Sequence, residues 1–225
     1  VSPDGGFLSR SAFILGLLFG INGCVHDAVL DNDIARARAA QASLLTATDV
    51  RLAEAALSAQ LVELEALYLR DTRDYRAQGV LGLLDEGYGL MAQGFIELRR
   101  LDAVAAGDIA RAEQERQLQA DATARSRFYR ARSGHLAESA LPRRDLKTAF
   151  FSGAEAACQK HDRAGYERSL SALLAQSESS PRHRLELALA QRQAAAWLMP
   201  NVSARCAFEA PPTAATPKAP SPASR

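Results

Sequence analysis

Seven apolar residues, Ala77, Leu81, Leu84, Tyr88, Met91, Phe95 and Leu98, follow one another at steps of 4, 3, 4, 3, 4 and 3. That spacing follows the 3.6-residue period of an α-helix and draws one continuous stripe along one of its faces. A chain with this segment must form a long helix here and cover it with other helices. Five glycines, at 79, 82, 87, 89 and 94, interrupt the same stretch. Each is unfavourable by up to about 1 kcal/mol relative to alanine in a helix interior. Their density implies neighbouring backbones held close on more than one side, or a helix that kinks or lines a cavity; close packing is the preferred reading. This helix is expected to be central.

The rest of the composition agrees with a helical chain. Alanine, the best helix former, supplies 45 of the 225 residues, whereas aromatic residues make up 6%. No strand-like alternation occurs, so the expected fold class is all-α: a stack of antiparallel helical hairpins, either a tetratricopeptide-like α-α superhelix or an irregular bundle. Net charge is +1 with both signs mixed along the chain, and lysine occurs only at 147, 160 and 218. Nothing resembles a basic stripe or a nucleic-acid motif, so nucleic acid is not an expected partner.

Helix stops and starts divide the chain. A first helix is expected over Ile34–Leu45, closed by Thr46-Ala47-Thr48. Thr48 or Asp49 can cap a second over about 50–70, with Ala53, Leu57, Leu61, Leu64 and Tyr68 as its buried stripe. The central helix follows after Asp71-Thr72-Arg73. Gly107-Asp108 opens a polar helix from Ile109 toward Leu136. Asp145 begins a helix running to Cys158, and Asp162 begins one running to about Gln176. Ser180-Pro181 places serine at the N-cap and proline at the first helical position of a last helix that stops near Pro200. Residues 209–225, with five prolines and no apolar anchor, read as a disordered Pro/Ala-rich tail.

The amino-terminal end carries a different signal. Ala12–Ile21 is an apolar run after Arg10, too short to span a bilayer and suited to the middle of an export signal. It ends in Ile21-Asn22-Gly23-Cys24, which resembles the lipobox of bacterial lipoproteins. The resemblance implies acylation of Cys24 after cleavage before it; the alternative is a buried apolar amino-terminal helix with an incidental cysteine. The expected organisation is a lipoprotein signal peptide at 1–23, a lipidated tether at 24–33, an α-helical domain at 34–208 and the tail. Two or more lipid chains, at roughly 0.8 kcal/mol per buried methylene, hold a protein stably on a membrane. The residue after the cysteine is Val25, not aspartate, and by resemblance to enterobacterial lipoprotein sorting this implies an anchor in the outer membrane, facing the periplasm.

Cys158 and Cys206 remain. In an exported domain they can pair, closing a loop of about 50 residues; alternatively, Cys158 is a small core residue and Cys206 a free thiol near a frayed end. The four histidines, at 26, 135, 161 and 183, are scattered, and no metal-ligand or nucleophile motif is present. Asp85 and Glu86 are adjacent on the central helix and therefore point about 100° apart, which suits solvated carboxylates better than a joint acid/base pair. The chain is thus read as no enzyme, with no cofactor and no metal. Tyr88, Phe95, Phe128, Tyr129, Phe150, Phe151 and Trp197 are candidates to line an apolar pocket between helices, the commoner alternative being plain core.

Residues 56–101 resemble the front half of the TRAP-transporter T-component (TatT-like) lipoprotein family. The features are Leu61, Glu65 and Leu67 on one helix, then Leu81, Leu83, Leu84, Tyr88, Phe95 and Glu97 on the next. The Arg127–Ala131 element and the Ala149-Phe150-Phe151 helix start fit as well, so the likeness covers roughly residues 20–160. It implies a periplasm-facing helical-repeat lipoprotein that docks a substrate-binding protein of a tripartite ATP-independent transporter and passes on a small apolar or carboxylate ligand. The alternative is a general helical scaffold recruiting another envelope complex. Either way the membrane is reached through the lipid on Cys24, and homo-oligomer formation is left open.

Overall fold

The computed structural model describes residues 29–70, 78–133, 146–177 and 180–208. The expected signal peptide, Cys24 and the proline-rich tail lie outside these residues. Among the described residues the chain is helix and turn, with no strand.

Helix α1 (29–45) begins five residues before the expected start, because Leu30 and Ile34 are one helical turn apart and both buried. Residues 29–33, expected in the tether, therefore belong to the first helix. Helix α2 (Val50–Arg70) starts at Asp49, whose Oδ1 accepts from the amides of Arg51 (2.9 Å) and Leu52 (3.2 Å). Its expected stripe, Ala53, Leu57, Leu61, Leu64 and Tyr68, is buried throughout.

The central helix is continuous from Gln78 to Ala105 but has three parts: α3 (Gln78–Leu90), a π-helical segment Met91–Ile96, and α4 (Glu97–Ala105). Leu81, Leu84, Met91, Phe95 and Leu98 are buried as the periodicity requires, Tyr88 is half-buried, and Ala77 lies outside the described residues. The turn after α4 is a Schellman motif. Asp108 N donates to Ala103 O (2.9 Å) and Gly107 N to Val104 O (3.0 Å), with Gly107 at φ +76°. Asp108 then caps α5 (Ile109–Ser133) through the Arg111 amide at 3.0 Å.

A second π-helical segment, Lys147–Phe151, leads into α6 (Ser152–Gln159). Asp162 caps α7 (Arg163–Leu174) by accepting from Gly165 N. Ser180 and Pro181 occupy the N-cap and first helical positions of a 3₁₀ turn (Pro181–His183) that feeds α8 (Arg184–Trp197). Pro200 does more than end that helix: it starts α9 (Pro200–Ser203), which the sequence reading does not anticipate.

Two apolar cores result. The first joins α1, α2, α3 and α5 around Leu57, Leu64, Leu84 and Phe95. The second joins α4, α6, α7, α8 and α9 around Leu101, Phe151, Tyr166 and Trp197. Two elements run through both. The central helix contributes Leu98 to the first core and Leu101 to the second; α8 contributes Leu185 and Leu189 to the first, then Leu187, Ala190 and Trp197 to the second.

Cys158 and Cys206 form a disulfide (Cα–Cα 4.8 Å) that ties the end of α6 to the 3₁₀ turn Ala204–Cys206. His161 supports the same junction. It sits at φ +56° after α6, and its Nδ1 lies 2.8 Å from the Cys206 carbonyl oxygen.

Candidate functional site

Polar side chains from three helices converge where α2, α3 and α5 meet. Glu65 on α2 is at their centre. Its Oε1 accepts from Tyr88 Oη (2.7 Å), Tyr129 Oη (2.9 Å) and Arg125 Nη1 (2.8 Å), and Arg125 also donates to Tyr88 Oη at 3.0 Å. The rings reinforce this arrangement. Tyr88 and Tyr129 stack with centroids 5.9 Å apart, Tyr68 meets Tyr129 edge-on at 5.8 Å, and the Arg125 guanidinium lies 5.4 Å from the centre of the Tyr88 ring.

Burial pushes the Glu65 carboxyl up, but hydrogen bonds from Tyr88 and Tyr129 and the charge and hydrogen bond of Arg125 outweigh it and leave the group below its ordinary value. Burial raises Tyr88 and Tyr129, and the hydrogen bond each gives Glu65 raises them further. The cluster is thus an ionised carboxylate held by neutral phenols and a cation. One turn away, Asp85 accepts from Ser126 Oγ (2.5 Å) and from Arg130 Nε (2.9 Å). Glu86, its neighbour in sequence, instead takes Gln41 Nε2 at 2.9 Å on the α1 side. The two carboxylates turn to different helices, as their spacing requires.

A second polar layer surrounds the π-helical segment. Gln193 Nε2 from α8 donates to the Gln93 (2.7 Å) and Gly94 (2.9 Å) carbonyls, and Gln119 Nε2 from α5 reaches Ala92 O (3.2 Å) and Glu97 Oε2 (3.1 Å). Carbonyls of the π-helical segment thus accept from side-chain donors on both flanks. Beyond it, Arg99 joins Glu115 on α5 (Nε–Oε1 3.0 Å) to Glu54 on α2.

The seven aromatic residues proposed for one pocket do not line one. Tyr88 and Tyr129 belong to the Glu65 cluster and Phe95 to the first core, while Phe151 and Trp197 pack at 4.6 Å in the second, with Phe150 at its edge. Phe128 is 49% exposed, because it is next to Tyr129 on α5 and so points away from the core that Tyr129 enters. One shallow open groove of about 370 Å³ is lined by side chains of α5 alone, among them Arg116, Thr123 and Arg127.

Among the described residues no group of three His, Cys, Asp or Glu side chains converges as a metal site requires. Nor is any described helix long and apolar enough to cross a membrane. Sequence reasoning missed Arg125, Asp85–Arg130 and Gln193 as network members. Their partners lie tens of residues away, and a polar side chain on a helix carries no mark of which remote helix it will face.

The fold defines the class: an all-α protein of antiparallel helices with a disulfide in its second core. No family model, no curated protein and no solved structure matches the chain.

Proposed function

We propose that this chain is a lipid-anchored docking protein of the bacterial envelope, binding its partner without chemical transformation. The observation that carries the reading is the Cys158–Cys206 disulfide, since such bonds persist in oxidising compartments outside the cytosol. The Ile21–Cys24 segment supplies a means of attachment there, with Cys24 as the acylated residue on an outer membrane and the helices facing the periplasm. The partner is a periplasmic substrate-binding protein of a TRAP-type transporter. This rests on the motif order of α2 and α3, whose Glu65 and Tyr88 meet in one cluster.

That cluster supports binding rather than catalysis. A carboxylate that already accepts three donors and lies below its ordinary value is a poor proton carrier near neutrality. Any small apolar or carboxylate ligand would pass between this protein and its partner by handover.

Native mass spectrometry of the protein from its own cells tests this. The expected species begins at an acylated Cys24, carries the intact disulfide and arrives with a substrate-binding protein. A chain with an uncut leader and a bare Cys24 thiol overturns the anchor. An acylated chain arriving with a cell-wall or secretion component instead favours the general scaffold.

A further inference from the structure

We infer that the outer face of α2 is the seam of an antiparallel homodimer. Helix α2 is apolar on two opposite sides. Its inner stripe fills the first core, and Leu52, Ala55, Ala59, Val62, Ala66 and Leu69 recur at steps of 3, 4, 3, 4 and 3 on the side facing away from it. All six are exposed, Leu52 by 70%, Val62 by 68% and Leu69 by 71%. A helix apolar all round belongs between two partners. The 3.5-residue period of the outer stripe is that of a helix-helix seam, narrower than the stripe a helix lays on a globular core.

The order of side chains identifies the occupant as a second copy. Read from either end the stripe is nearly the same: leucine, alanine, a central Ala59/Val62 pair, alanine, leucine. Laid antiparallel on its twin, Leu52 meets Leu69 of the other copy, Ala55 meets Ala66, and Ala59 meets Val62. The alanines allow axes to approach to about 8 Å. Charged residues border the stripe without interrupting it, with Arg51 on one edge and Glu63 and Arg70 on the other. The Glu63 residues of the two copies share one solvent edge but are offset by about 7–8 Å along the seam, where water and salt screen them.

Size agrees. The apolar strip is on the order of several hundred Å² per copy, as large as the largest patch a monomer ordinarily leaves uncovered. Two strips face to face can bury up to about 1,000 Å², the least that a specific interface needs.

Sedimentation equilibrium of the full chain in density-matched detergent, from about 1 to about 100 μM, is expected to show a dimer. Val62→Glu, at an exposed position, is expected to weaken it about 100-fold or more while leaving far-UV circular dichroism unchanged, and to melt with the parent at concentrations too low for the dimer to form. Leu69→Lys serves as a second variant. Differently tagged Leu52→Cys and Leu69→Cys chains, with the unsubstituted chain as blank, are expected to cross-link to each other in preference to themselves. A monomer throughout the range, a dimer indifferent to Val62→Glu, or Leu52→Cys bridging chiefly to its own kind would each overturn the inference.

Discussion

Glu65 accepts from two phenols and a guanidinium across three helices, so it couples the packing of α2, α3 and α5 through one oxygen. Glu65→Ala leaves both tyrosine hydroxyls without their acceptor and Arg125 with Tyr88 Oη in place of the carboxylate, and a loss of about 2 kcal/mol in urea-unfolding stability is expected. Tyr88→Phe, which keeps the ring stack and removes one donor, should lose about 1 kcal/mol. The pH dependence has a defined sign. Because the folded Glu65 lies below its ordinary value of 4.5, its contribution is complete above that value and fades as pH falls through the folded value. Tyr88 and Tyr129 lie above their ordinary value of 10.0, so their contribution is present below it and fades as pH rises further. Urea midpoints measured across pH should therefore fall at both extremes, and the acid decline should be shallower in Glu65→Gln.

The central helix shows why its glycines are not equivalent. A Cβ on Gly87 would lie 2.8 Å from Leu61 Cδ2, and one on Gly94 would lie 2.7 Å from Leu189 Cδ1, whereas at Gly82 nothing lies within 4 Å. Both leucines are buried in the first core and have little room to yield. Gly82→Ala should therefore stabilise by about 0.5–1 kcal/mol through helix propensity. Gly94→Ala should destabilise by about 1 kcal/mol or more through overpacking, and thermal melts of the two variants should shift in opposite directions. The π-helical segment rests on Gln193, a buried amide that serves two backbone carbonyls 99 and 100 residues away. Gln193→Leu removes both bonds, and about 2–3 kcal/mol is the expected loss, read as a lower urea midpoint. The density of glycines announced close packing in the sequence. The π turn did not announce itself, because it depends on a glutamine from a distant helix.

Across the whole molecule, the disulfide and α8 do related work. Helix α8 gives side chains to both cores, while Cys158–Cys206 closes the second core by tying residues 48 apart in sequence. A loop of that size corresponds to about 4 kcal/mol in the chain-entropy model. Cys206→Ser is therefore expected to lower the melting temperature markedly, and a reductant should lower that of the parent and leave the variant unchanged. Tyr166 Oη donates to the Trp197 carbonyl at 2.7 Å, and the Arg205 guanidinium lies 4.0 Å from the Trp197 ring centre. The loss on reduction should thus concentrate in α6–α9, which hydrogen exchange would locate.

Local pattern determined the helices. Periodicity marked the inner stripes of α2 and the central helix, and Asp49, Asp108, Asp162 and Ser180-Pro181 marked where helices begin, because capping and amphipathicity act within a turn or two of the chain. Tertiary structure alone decided how those helices share partners. It drew residues 29–33 into α1, turned Phe128 to solvent beside a buried Tyr129, divided the seven aromatics between two cores, and gathered Glu65, Tyr88, Arg125 and Tyr129 from three helices. A side chain's period names the face it occupies. Which distant segment covers that face is settled only when the whole chain packs, since burial and hydrogen-bond satisfaction are properties of the assembled surface.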